Sequence, residues 1–277
     1  MNIIRTASFK VWEAPAERAY LFARWSYEPA TRALIFVHGL ASSWDVWVPF
    51  RHAIERPEMA RTDVFWFDYK SMGTTISRSA RRFNQALAGL INGTSPAFGH
   101  HTFPAPRTAP AYESIDIVAH SLGAVVARGA LLDLTNDLAN QRDLATAPAW
   151  KIEQLLLAPA LLGSKIPWLV KYVGTESLLA VIQLLRNGGV SAVMDLKEGS
   201  DHLKSLEGSV KDRLKDVPIA AGACGLRVAL TLHGINDPVV IQRNYARDDN
   251  YELIEGNHFT VVRSPNQVAV DFVLRTP

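Results

Sequence analysis

The pattern of hydrophobic and polar positions changes its period several times along the chain. Two short alternating segments, residues 8–12 and 20–25, predict a β-hairpin near the start. Continuous apolar runs at residues 33–39 and 63–69 predict strands that are buried on both faces of a sheet. Strands of this kind lie inside the protein, and helices cover them on the outside.

Helical periodicity appears between these two runs and after them. Residues 43–56 predict a helix with Ser43 as its N-cap. Residues 75–92 predict a second helix, whose apolar face would hold Ile76, Ala80, Phe83, Leu87 and Leu90. Residues 93–111 are rich in Gly, Pro, Ser and His, and they predict a long irregular loop.

The second half of the chain continues the alternation of strand and helix patterns. Strands are predicted at residues 151–161 and 226–234, and a last strand and turn at 250–259 precede a closing helix at 266–275. This order predicts an α/β fold in which helices cover both faces of a mostly parallel sheet. Residues 162–222 interrupt it with a helical pattern, and we interpret them as an insertion within a single domain that spans residues 1–277.

The composition limits the classes of function. Hydrophobic residues make up 48% of the chain and charged residues 20%, which is typical of a globular protein. A formal net charge of +2 is too small to suggest nucleic acid as a partner. The single cysteine, Cys224, excludes an intramolecular disulfide and gives no basis for a cysteine metal cluster. Charges interrupt residues 1–20, so we expect no signal peptide, no membrane anchor and a cytoplasmic location.

The segment SIDIVAHSLGAVVARGALL, residues 114–132, passes from a strand pattern to a helix pattern without an ordinary loop. Ser121 lies at the corner, and the small residues Ala119 and Gly123 flank it at a distance of two. A sharp strand–turn–helix corner exposes the serine and directs free helix N–H groups towards it, which is the nucleophile elbow. In the pattern Gly-x-Ser-x-Gly the first glycine is here Ala119, which is small enough for that place. The alternative is a helix N-cap serine, and the segment alone leaves both interpretations open.

A serine hydroxyl becomes a good nucleophile only when a base removes its proton and a carboxylate orients that base. His258 follows the last predicted strand, and Asp237 lies in the turn after residues 226–234. The carboxyl ends of parallel strands share one edge of the sheet, so Ser121, Asp237 and His258 are predicted to meet there. Along the chain they follow the order serine, acid, histidine, which is the order that accompanies the nucleophile-elbow motif. The alternatives are a structural histidine and an ordinary Asp-Pro turn.

An oxyanion hole would complete such a site. The N–H of Leu122, directly after the serine, is one expected donor, and the N–H of Leu40 in FVHGLASSWDVW is the other. His-Gly at the end of a strand is otherwise merely a turn. Trp44 and Trp47 follow Leu40 and are expected to line the substrate pocket, with ordinary helix packing as the alternative.

Four segments together resemble the α/β-hydrolase superfamily, and within it the lipase and serine-esterase branch: FVHGLASSWDVW, IVAHSLGAVVAR, HGINDPVV and GNHFTVV. They span residues 36–262. A further segment, DLKEGSDHLKSL at residues 195–206, is similar to the Pro-Gly-Ser-x-x-Leu segment of lipase-like deacylases, with Glu198 in place of the proline. The resemblance implies an α/β-hydrolase fold with a cap inserted between the later strands.

Residues 166–185 of the insertion, IPWLVKYVGTESLLAVIQLL, are unusually apolar for a surface segment. A helical hairpin with its own small core explains this pattern, and a lid that supplies an apolar wall to an acyl pocket is compatible with it. We therefore assign Trp168 and Leu169 to the pocket. Charged residues and a glycine interrupt the stretch, which argues against a membrane anchor.

The residues and the resemblance together predict a serine hydrolase that cleaves a small-molecule or lipid carboxylic ester with an apolar acyl chain. This chemistry requires no metal and no organic cofactor. Thioesterase, amidase and acyltransferase chemistry use the same residues and stay open. The alternative from another class is a catalytically inactive α/β-hydrolase fold that serves as a binding or interaction protein. We expect no nucleic-acid partner and no integral membrane segment.

Overall fold

The computed structural model describes residues 9–14, 19–26, 28–72, 74–93, 112–140, 150–164, 191–240 and 250–275. Eight strands form one sheet in the order β1-β2-β4-β3-β5-β6-β7-β8. The strands are Phe9–Ala14 (β1), Ala19–Arg24 (β2), Arg32–Val37 (β3), Thr62–Tyr69 (β4), Ser114–His120 (β5), Lys151–Leu157 (β6), Leu230–Gly234 (β7) and Tyr251–Ile254 (β8). β2 pairs antiparallel with β1 and β4, and every other pair is parallel. The predicted hairpin and the mostly parallel sheet are confirmed.

Alternate residues of the central strands face two separate cores. In β3, Ala33, Ile35 and Val37 belong to one hydrophobic cluster, whereas Leu34 and Phe36 belong to the other. All residues of β3 are buried, as expected for a parallel strand that is covered on both faces. The continuous apolar runs of the sequence therefore reflect burial on both sides.

Helices cover both faces of the sheet. Among the described residues they are Arg51–Ile54 (α1), Ile76–Ile91 (α2), Leu122–Asn140 (α3), Ser191–Asp195 (α4), Asp201–Asp216 (α5), Pro218–Ala223 (α6), Thr260–Arg263 (α7) and Gln267–Leu274 (α8). The clusters place α2 and α3 on one face and α1, α7 and α8 on the other. The five apolar residues predicted for one face of α2 are all buried. Thr75 is the N-cap of this helix, and its hydroxyl accepts a hydrogen bond from the N–H of Arg78.

The structure corrects three sequence-based elements. Instead of one α-helix over 43–56, a 3₁₀ helix at Trp44–Phe50 leads into the short α1. Pro49 lies inside the 3₁₀ helix and has no N–H to donate, which disfavours a continuous α-helix there. The hydroxyl of Ser43 bonds to the carboxylate of Asp45 and caps no backbone N–H. β6 ends at Leu157, four residues earlier than predicted, and β7 begins at Leu230, four residues later than predicted.

The insertion is described only in part. Its residues 191–222 contain α4, α5 and most of α6, in agreement with the helical pattern. Residues 165–190, with Trp168 and Leu169, lie outside the described residues, as does most of the predicted loop at 93–111. The role of the insertion as a lid therefore stays a prediction. No helix in the described ranges is long and apolar enough to cross a membrane.

A buried ion pair holds the end of the closing helix, α8, against the amino-terminal ends of the parallel strands. The guanidinium of Arg32, at the start of β3, donates to Asp116 of β5 at 2.6 Å and to the carbonyl of Val273 at 2.8 Å. It thereby neutralises a carboxylate and satisfies a carbonyl at the end of α8. This charged group lies at the opposite end of the strands from Ser121.

Candidate active site

Ser121 joins β5 to α3 in a strained backbone conformation. Its φ of +54° lies in the left-handed region, which a non-glycine residue adopts at a cost. Backbone hydrogen bonds hold it there: its N–H donates to Leu157 at 3.1 Å, and its carbonyl accepts from Ala160 at 3.2 Å and from Ala124 at 3.1 Å. The conformation of Ser121 is therefore stabilised by hydrogen bonds to the end of β6, to the segment after β6 and to the first turn of α3.

Gly123 allows α3 to start directly against β3. A Cβ atom at this position would lie 2.4 Å from the carbonyl oxygens of both Val37 and His38. Because both are backbone atoms, no side-chain rotation could relieve the contact. The second glycine of the elbow pattern is therefore required by close backbone approach, whereas Ala119, at the first position, is buried in the core.

The three residues predicted as a triad lie in one hydrogen-bonded chain. His258 Nε2 lies 2.9 Å from Ser121 Oγ, and His258 Nδ1 lies 2.9 Å from Asp237 Oδ2. An ionised carboxylate only accepts hydrogen bonds, so Nδ1 carries the proton and Nε2 is free to accept from the serine hydroxyl. This is the tautomer that a general base requires.

Asp237 is held as a buried carboxylate. Its Oδ1 accepts the N–H groups of Val239 at 2.8 Å and Val240 at 3.2 Å, while Oδ2 faces His258. Burial by itself would raise the pKa of Asp237, but the hydrogen bonds from His258 and the two amides outweigh it and hold the pKa below its ordinary value. Asp237 therefore stays charged at neutral pH.

The two amides predicted as an oxyanion hole are those of Leu122 and Leu40. Leu122 is the first residue of α3, so its N–H has no acceptor within the helix. The loop that holds Leu40 lies against the serine, because a Cβ on Gly39 would be 3.0 Å from Ser121 Cβ. Among the described residues, neither amide donates to another backbone carbonyl.

Residues at the carboxyl end of β4 hold this loop in place through hydrogen bonds. These contacts were not predicted from the sequence. The Tyr69 hydroxyl donates to the carbonyl of His38 at 2.9 Å, and the Tyr69 N–H donates to His38 Nε2 at 3.2 Å. Burial, and secondarily the charge of Asp68, raises the pKa of Tyr69, so the hydroxyl keeps its proton. Ser71 Oγ accepts the N–H of Ala41 at 2.9 Å. Polar residues at the end of a buried strand and directly after it, Tyr69 and Ser71, were the available signal.

The two described tryptophans of the predicted pocket have different surroundings. Trp47 is buried in the core, with its ring 4.9 Å from Phe36 and 5.7 Å from Phe50. The assignment of Trp47 to the pocket is therefore corrected, because ordinary packing accounts for its position. Trp44 is 39% exposed, and its ring lies 6.0 Å from that of Phe22.

Two further histidines near the site are buried and neutral. His120 Nε2 lies 2.8 Å from the carbonyl oxygen of His258. Burial, and then the proximity of His258, lowers the pKa of His120 to about 3. In β7, burial lowers the pKa of His233 to about 4, although the charge of Asp237 opposes this shift. In the described part of the chain, no group of three or more His, Cys, Asp or Glu side chains is arranged to hold a metal ion.

Comparisons with known proteins identify the fold. A scan against protein-family models found no match, and a search of the curated proteins found none either. Among solved structures, the mature form of a Bacillus licheniformis lipase is 18% identical, with a TM-score of 0.56 over 93% of this chain and 98% of that chain. The propeptide form of the lipase is 17% identical, with a TM-score of 0.57 over 93% of this chain. The present chain spans about half (54%) of the length of that propeptide form.

A Bacillus subtilis carboxylesterase is 17% identical, with a TM-score of 0.54 over 98% of this chain and 91% of that chain. The described residues of this chain form a mostly parallel sheet with helices on both faces. The chain therefore has the α/β-hydrolase fold.

Proposed function

We propose that this protein is a serine hydrolase that cleaves carboxylic esters through an acyl-enzyme intermediate. The observation that carries the proposal is the chain Ser121–His258–Asp237, with two links of 2.9 Å. It lies at the elbow between β5 and α3, next to the first residue of α3, Leu122, and to the loop that holds Leu40. A helix N-cap role for Ser121 would need neither the histidine nor the buried carboxylate behind it.

In the first half of the proposed reaction, Ser121 acts as the nucleophile and His258 as the base. Ser121 Oγ attacks the ester carbonyl carbon while its proton passes to His258 Nε2. The carbonyl oxygen becomes an oxyanion, which the N–H groups of Leu40 and Leu122 stabilise. The carbon–oxygen bond to the alcohol then breaks, and His258 gives its proton to the departing alkoxide. The products of this half are the free alcohol and an acyl group on Ser121.

The second half reverses these roles with water. A water molecule attacks the acyl carbon, and its proton passes to His258 Nε2. The bond to Ser121 Oγ then breaks, and the serine recovers its proton from His258 while the carboxylic acid leaves. Asp237 stays ionised throughout, and it stabilises the imidazolium that forms in each half.

Apolar residues next to the catalytic groups favour an apolar acyl chain. Leu40 follows Gly39 in the oxyanion loop, Leu161 follows the amide that bonds to the Ser121 carbonyl, and Phe259 packs its ring 5.3 Å from that of His258. All three are partly buried against the core. We therefore propose a small-molecule or lipid ester as the substrate.

Hydrolysis of nitrophenyl esters from acetate to decanoate tests the proposal. We expect turnover of at least one ester, together with an initial burst of nitrophenol that approaches one equivalent per protein when deacylation is slower than acylation. Longer apolar chains should be preferred to acetate. If folded protein hydrolyses none of these esters above the rate in buffer, an inactive binding protein becomes the better account.

A further inference from the structure

Three segments of the active site converge on one side chain, the imidazole of His120. His120 is the residue before Ser121, so it is covalently part of the elbow. Its Nε2 contacts the backbone carbonyl of His258 at 2.8 Å. On the other side, a Cβ on Gly39 would lie 3.1 Å from its Nδ1, so the imidazole also borders the oxyanion loop.

The hydrogen bond fixes which nitrogen of His120 carries the proton. A carbonyl oxygen only accepts, so Nε2 must donate and the bond runs from His120 to His258. His120 as a whole residue is 5% exposed, and its ring lies 4.8 Å from the His258 ring. A second positive charge next to a protonated His258 would be repelled, so His120 stays neutral while His258 accepts and releases protons.

The same arrangement leaves a buried polar atom without compensation. In the neutral Nε2–H form, Nδ1 is an acceptor, and no donor reaches it among the described residues. Leaving a buried acceptor unpaired lowers the stability of the folded state. An apolar side chain of similar size would avoid this cost, so a role in stability alone does not account for a histidine at this position.

His258, the proposed base, follows a strand that lies far from Ser121 in the sheet. A contact that fixes the separation of the two residues is therefore needed. β6 and β7 lie between β5 and β8 in the sheet, which separates the elbow from β8 by about 14 Å. β8 has four residues and lies at the edge, and His258 sits in the turn between β8 and α7. A bond from the elbow to the backbone of this turn sets the distance between nucleophile and base directly.

We infer that His120 is a positioning residue, which holds the backbone of His258 so that its Nε2 stays within hydrogen-bonding distance of Ser121 Oγ. His120 transfers no proton itself. This inference rests on the proposed function, since it concerns the geometry of the same nucleophile and base. The donor at Nε2 is the part of the side chain that matters.

Two substitutions separate the donor from the volume of the side chain. In His120→Gln the amide nitrogen replaces Nε2 as a donor, whereas His120→Leu keeps a similar volume without one. A displacement of about 1 Å costs on the order of 10²-fold in rate, so kcat of His120→Leu should fall roughly 10- to 100-fold with KM nearly unchanged. His120→Gln should recover kcat to within about threefold to fivefold of the wild type.

The outcomes that overturn the inference are distinct. A folded Leu variant with wild-type kcat, or Gln and Leu variants with equal losses, would overturn it while the proposed function stands. Wild-type protein without any ester hydrolysis would overturn the proposed function and this inference with it. Nitrogen NMR of the wild-type imidazoles tests the same point without a variant: we expect His120 as the Nε2–H tautomer, and the Nδ1–H tautomer would contradict us.

Discussion

Replacing Asp237 by asparagine should lower kcat by roughly 10²- to 10⁴-fold, with little change in KM. The amide keeps the shape of the carboxylate but removes its charge. The amide can also donate its N–H to His258 Nδ1. His258 Nδ1 is then the acceptor, and the ring proton lies on Nε2 instead. In that tautomer His258 cannot take the proton of Ser121. Steady-state kinetics on the preferred nitrophenyl ester measures the loss.

Glu255→Gln is the matched control for this substitution. Glu255 is three residues from His258 in sequence, but its side chain is exposed, and we expect a change of less than about tenfold. The nearby carboxylate of Glu252 is also exposed, whereas Asp248 and Asp249 lie outside the described residues. Near-full activity in Asp237→Asn, with a large loss in one of these neighbours, would mean that the acid is misassigned.

Acidification from about pH 7.5 to about pH 5 should lower the free energy of unfolding by about 4 kcal/mol through His120 and His233. Both pKa values are lower in the folded protein, at about 3 and about 4, than the value of about 6.5 expected for an unfolded chain. The unfolded state therefore takes up protons first as the pH falls. Stability from these groups is complete above the unfolded pKa and is lost below it, by about 2 kcal/mol for each histidine over this range.

Urea unfolding at the two pH values tests this expectation, and two variants assign it. His120→Gln removes one of the two titrating groups, so the pH dependence should fall to about half. His52→Gln changes an exposed histidine and should leave the dependence unchanged. Equal stability of the wild type at both pH values would show that neither histidine is held neutral by burial.

The sheet was predictable because its strands carry their own signal. A strand that is covered on both faces is apolar along most of its length, and residues 33–37 of β3 and 64–67 of β4 show this pattern in the sequence. The 3₁₀ helix at Trp44–Phe50 was missed because its apolar spacing is compatible with an α-helix, and only the missing N–H of Pro49 works against that interpretation.

The candidate site was predictable where a local pattern coincides with the end of a strand. Ser121, Asp237 and His258 each follow the carboxyl end of a strand, and parallel strands bring such positions to one edge. Trp47 had no such signal, because its spacing is equally consistent with pocket and core. The contacts of Tyr69 and His120 join residues 31 and 138 positions apart, which no local pattern reveals.

Covalent labelling of Ser121 by a fluorophosphonate tests the central claim most directly, because the reagent requires an activated serine and no knowledge of the substrate. We expect the intact mass of folded wild-type protein to rise by one phosphonyl group and the modified peptide to contain Ser121. Ser121→Ala should stay unmodified, whereas Ser79→Ala, which changes another buried serine, should be labelled like the wild type. No adduct on folded wild-type protein, or equal labelling of Ser121→Ala, would contradict a serine nucleophile at this elbow.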